Sequence, residues 1–155
     1  MKEKIKMVES ISPNQYRFWF QQAEIYYSSA NIISKENSGL LFPIMTLQAF
    51  SIECALKGLF LLNNSEYKLK YTHNLYDLFK CLPSSIKEDL NYLFPEIEKY
   101  IQLIKNDFMT SRYFFENFKN ESTHTFYDGI LTSISDFFIQ YIKENLLFIG
   151  FKSGI

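Results

Sequence analysis

The stretch from Leu40 to Leu62 limits what this chain can fold into more than any other. It is almost wholly apolar, its polar members being Thr46, Gln48, Ser51, Glu53 and Lys57. Its length matches the roughly 20 apolar residues that a membrane span requires. Glu53 and Lys57 nevertheless lie well inside it, and a charge near the centre of a bilayer costs several kcal/mol. A helix that is apolar on nearly every side is otherwise one enclosed by protein. The stretch therefore predicts a soluble domain packed around one central helix, with no membrane partner.

The flanking sequence supplies the packing partners. Ser12 and Pro13 read as a helix start, with Ser12 as cap and Pro13 in the first helical position. Tyr16, Trp19, Phe20, Ala23, Tyr27, Ala30 and Ile33 then recur at three- and four-residue steps, one stripe along a helix that breaks at Asn37-Ser38-Gly39. Asn63-Asn64-Ser65 closes the central helix. Beyond a polar loop with Lys68, Lys70 and Tyr71, Thr72 is expected to cap a short helix from His73 to Cys81, stopped by Pro83. Ser84 or Ser85 starts another that carries Ile86, Leu90 and Leu93. Pro95 opens a longer one with Ile97, Ile101, Ile104, Phe108 and Phe115 on one face. After a polar break at 117–123, a last helix from Thr123 or Thr125 shows Phe126, Ile130, Ile134, Phe137 and Tyr141 as its stripe. Helix following helix with short loops and no alternating run predicts an all-α, up-and-down bundle of four to five main helices plus short ones. Residues 1–155 form one domain in this reading, with 1–12 as a flexible lead-in.

Composition bears on function chiefly by exclusion. Sixteen basic against seventeen acidic residues leave a net charge of −1, so the basic excess or stripe expected of a duplex-DNA binder is missing. The two cysteines, Cys54 and Cys81, fall in apolar helical stretches, which reads as reduced thiols in a cytoplasmic protein. The charged start has no apolar run of the kind a secretion signal needs. No glycine-rich phosphate loop, zinc-spaced Cys/His cluster or Ser-His-Asp set is found, so neither cofactor nor metal is expected. His124, in Ser-Thr-His-Thr, reads as a cap or surface residue.

Three constellations remain. Glu53 and Lys57 are four residues apart, so they share a helix face in the favourable order, which on a solvated helix is worth about 0.2–0.5 kcal/mol. Among Ile52, Cys54, Leu56 and Leu59 they are expected to be partly buried, either as a structural ion pair or as the polar floor of a ligand site. His73 and Asp77 fall one turn apart at a helix start. A carboxylate there orients an imidazole and raises its pKa, as a general base needs, but a helix cap uses the same residues. Arg112-Tyr113 lies among aromatics. Its guanidinium suits either a carboxylate such as Glu53 or Asp77, or a phosphate.

Ser51-Ile52-Glu53-Cys54-Ala55-Leu56-Lys57-Gly58-Leu59, Thr72-His73-Asn74-Leu75 and Ser111-Arg112-Tyr113, in that order, resemble the HEPN domain family across about residues 13 to 145. The resemblance implies a helical bundle that forms a homodimer. It also implies RNA cleavage, nucleotide binding, or work beside a nucleotidyltransferase-type partner in toxin–antitoxin and phage-defence systems. Ribonuclease members carry an Arg followed by His after four to six residues. Here the first His after Arg112 is His124, with eleven residues between them, and Arg17 has none nearby.

That departure favours a non-catalytic module binding a nucleotide, RNA or protein partner, with Glu53, Lys57, His73, Asp77, Arg112 and Tyr113 as its site. In it Arg112 and Lys57 meet the anionic ligand and Tyr113 stacks or hydrogen-bonds. One rival is a degenerate ribonuclease toxin with His73 or His124 as base beside Arg112, which makes His73 and Arg112 the catalytic candidates. The other is a structural protein whose polar set fixes helix register and whose function lies in a partner surface.

Overall fold

The structure, a computed structural model, describes residues 15–63, 72–105 and 128–146. Among them are six helices and no strand: α1 (Gln15–Glu36), α2 (Leu41–Asn63), α3 (Leu75–Lys80), α4 (Ser84–Leu93), α5 (Ile97–Ile104) and α6 (Asp128–Leu146). The all-α bundle read from the sequence is the fold.

α2 is the axis of the bundle. Fourteen of its 23 residues are buried, including every residue from Ser51 to Leu59. Pro43 falls in its first turn, where the missing N–H has no helical acceptor to lose. At its end the Asn63 side chain donates to the Leu59 carbonyl (2.8 Å).

The break at Asn37 to Gly39 turns α1 back against α2. The Asn37 side chain accepts the Gly39 N–H (3.0 Å), and the Asn37 carbonyl accepts that of Leu40 (3.2 Å). The helices then run antiparallel: Tyr26 stacks on Phe50 near the turn, while Trp19 lies beside Lys57 far from it. The Ser51 hydroxyl donates to the Ala23 carbonyl at 2.8 Å between these points. Gly58 lets the two helices close up, because a Cβ on it would stand 2.5 Å from the Phe20 ring.

α6 packs on both α1 and α2. Lys143 pairs with Glu24 (3.7 Å), and Asp136 lies close enough to Tyr27 to join burial in raising its pKa, so α6 runs antiparallel to α1. Gln48 donates to Thr132 (3.0 Å), and Tyr141 donates to Asp89 of α4 (2.8 Å). Burial and the Asp89 carboxylate both push the Tyr141 phenol well above its ordinary pKa. Residues of all six helices share one hydrophobic core.

Several local expectations are corrected. The helix expected at His73 starts at Leu75, and its cap is Asn74 rather than Thr72. Pro95 does not open α5: Pro95 and Glu96 form a turn, with Glu96 in the left-handed region (φ 62°), and the helix starts at Ile97. Leu93 is 51% exposed, so the buried face of α4 is carried by Leu90. On α6 the innermost residues are Leu131, Ile134 and Phe138, whereas Ile130 and Phe137 are only half-buried. With apolar residues around more than half of that helix, periodicity alone does not fix its inner face. Ser12, Pro13, Phe108, Phe115, Phe126, the polar break, the start of the last helix and the lead-in lie outside the described residues.

Candidate functional site

The site is built on two adjacent turns of α2. Glu53 and Lys57 project from the same face, and Lys57 Nζ donates to Glu53 Oε1 at 2.6 Å. Their side chains are 4% and 7% exposed. The Trp19 ring from α1 covers the ammonium at 4.8 Å, a cation–π contact that is stronger away from water.

The third member arrives from outside the helices. The Thr72 hydroxyl accepts the Asn74 N–H (3.1 Å), and the Asn74 side chain accepts those of Tyr76 and Asp77 (3.0 and 3.1 Å). These bonds fix the backbone on both sides of His73 and satisfy the first amides of α3. The imidazole is thereby set against Glu53, with Nδ1 3.2 Å from Oε1 and 3.1 Å from Oε2. A carboxylate only accepts, so the hydrogen bond between the two is donated by Nδ1–H. The His73 side chain is 37% exposed, which makes it the surface end of a polar cluster, Lys57–Glu53–His73.

Glu53 also acts on its neighbour in sequence. Burial, then the Glu53 charge, pushes the Cys54 thiol up from about 9 to about 12, against a smaller opposing effect of Lys57. Cys54 is therefore held as the thiol, a packing group and not a nucleophile.

Of the six residues expected to form the site, the structure brings Glu53, Lys57 and His73 together. Asp77 lies on α3, where Lys80 pairs with it at 3.1 Å; that hydrogen bond raises the Lys80 pKa. A carboxylate within hydrogen-bond distance of the imidazole is that of Glu53, twenty residues away in sequence. Arg112 and Tyr113 lie outside the described residues, as does His124. Trp19 was missed as a site residue: the stripe marks it as core, and only the closeness of α1 to α2 puts it over Lys57. Asn74 was missed as well, although its place two residues before Tyr76 is a cap signal. Among the described residues, no three His, Cys, Asp or Glu side chains come together as a metal would require.

The chemistry open to this arrangement is that of an oriented imidazole over a buried carboxylate. The HEPN domain family model matches residues 16–131, a span that contains Trp19, Glu53, Lys57 and His73. The chain belongs to the HEPN domain family. No curated protein and no solved structure matches it.

Proposed function

We propose that this chain is a non-catalytic HEPN module of the cytoplasm that pairs with a second copy and binds an anionic ligand, a nucleotide or RNA end, at the His73 surface. The observation that carries this reading is the way Glu53 is used. Its buried carboxylate is taken up by Lys57 and His73 together, so the imidazole is rigidly presented while the ammonium is sealed beneath Trp19. Lys57 then acts through Glu53 rather than on the ligand, and the direct contacts fall to His73, Arg112 and Tyr113. A nucleotidyltransferase-type partner in a toxin–antitoxin or phage-defence setting fits the family and the absence of the Arg-x4–6-His spacing.

Native mass spectrometry of the protein as purified tests this. The expected species carries a nucleotide- or RNA-sized adduct whose affinity falls about 10–100-fold in His73→Ala and Arg112→Ala, the loss of one charge-assisted hydrogen bond each. An empty species that also ignores added nucleotides and short RNA refutes the ligand reading. A second reading, a degenerate ribonuclease, is favoured by one observation: donation of Nδ1–H to a buried carboxylate is how a general base is oriented. It requires cleavage of short RNA by the purified protein and its loss in His73→Ala.

A further inference from the structure

α1 has two apolar faces, and the fold uses one. Phe20, Ala23 and Ala30 turn inward. On the other side Phe18, Ile25 and Ile32 are 67%, 53% and 62% exposed, large apolar side chains that together make an apolar patch. They are spaced by seven residues, so they form one line along the helix. A shallow groove lined by Gln21, Glu24, Ile25, Ser28, Ser29 and Ile32 runs beside them.

We propose that this outer face of α1 is the surface on which a second copy of the chain docks, antiparallel, with the two-fold axis at Ile25. The assignment rests on the homodimer reading above. Self-docking requires a face complementary to itself, and this one is. A dyad at Ile25 sets Phe18 against Ile32, Gln21 against Ser29 and Gln22 against Ser28, so each long side chain meets a shorter one. A parallel pair would instead stack Phe18 on Phe18 and leave serine facing serine. Charge agrees: Phe18, Gln21, Gln22, Ile25, Ser28, Ser29 and Ile32 are all uncharged, and Glu24 at the edge is already paired with Lys143. Two copies therefore meet without like-charge repulsion, and antiparallel helix dipoles favour the same orientation. At 1.5 Å per residue the 22 residues of α1 are about 33 Å long, so Phe18, Ile25 and Ile32 of each copy all fall within the contact.

The test is the mass in solution of the full chain by sedimentation, from about 1 to 200 μM, a range chosen to bracket a modest interface. The wild type is expected to be a concentration-dependent dimer. Ile25→Asp, which sets two carboxylates on the axis, and independently Ile32→Asp, are expected to give a monomer with unchanged circular dichroism. In a Cys81→Ser background, mixing Phe18→Cys with Ile32→Cys protomers is expected to yield the mixed disulfide in excess over either homotypic one. A dimer that persists in both aspartate variants overturns the α1 face and leaves the homodimer reading standing. A wild type that is monomeric throughout overturns both. A homotypic Phe18→Cys disulfide in excess overturns the antiparallel arrangement.

Discussion

At the scale of single residues, a buried charge must be neutralised where it lies, and Glu53 is neutralised twice. Truncating it leaves the Lys57 ammonium buried on α2 beside the Trp19 ring without its carboxylate. Glu53→Ala is therefore expected to lower stability by about 3–5 kcal/mol, measured by urea unfolding. Glu53→Gln with Lys57→Met removes both charges and keeps the volume, so the double variant should recover most of that loss. A double variant as unstable as Glu53→Ala would mean that shape, not charge, is what α2 requires. Cys54 gives a pH signature. Its folded pKa, about 12, lies above the ordinary value of about 9, so the folded state binds the proton more tightly than the unfolded chain. The stability this represents is full below about pH 9 and is lost as pH rises towards 12, by a few kcal/mol in all. Cys54→Ala should flatten that alkaline decline, and an unchanged pH profile in the variant would remove Cys54 as its cause.

At the scale of elements, the helices are held by close approach and by single polar bonds across interfaces. Gly58 is the closest approach. A methyl group there meets the Phe20 ring at 2.5 Å, and Phe20 is 1% exposed, with Tyr16 against its edge. Gly58→Ala is expected to destabilise by about 1–3 kcal/mol despite the better helix propensity of alanine, because the ring has nowhere to go. Urea titration decides it; a stabilised variant would show that α1 yields. This element scale also divides what the sequence makes legible from what it hides. α2 is legible because its hydropathy is extreme and its two charges sit at helical spacing. The turn at Asn37–Gly39 is legible from its breakers. The start of α3 is not, since Thr72 and Asn74 both carry capping side chains and Asn74 wins by bonding two amides where Thr72 bonds one. The inner face of α6 is hidden by an excess of apolar residues. The join of His73 to Glu53 is hidden for a different reason: it spans twenty residues and two elements, and helical spacing speaks only within one.

At the scale of the whole molecule, burial is distributed unevenly, and stability should be too. Ser51 to Leu59 form an unbroken buried run whose amides are helical and far from water, so exposing them requires separating α1, α6 and α3 from α2. α4 differs in every respect. Leu90 is its one buried residue, no side chain caps its start at Pro83, and Tyr92 and Leu93 at its end are 85% and 51% exposed. Its clearest tie to α6 is the Tyr141–Asp89 hydrogen bond, a contact of about 1 kcal/mol net by the usual measure. A segment with so little buried surface opens without unfolding the rest. Hydrogen exchange followed by mass spectrometry should thus show two classes of amide. Peptides over 51–59 should exchange only by global unfolding, with the full urea dependence. Those over 84–93 should exchange several kcal/mol more easily and with a small urea dependence. Tyr141→Phe should speed exchange in α4 further while leaving 51–59 within about 1 kcal/mol of the wild type. Equal protection of the two segments would show that α4 is part of the cooperative core, and that its fit against α5 and α6, not its own buried side chains, is what holds it.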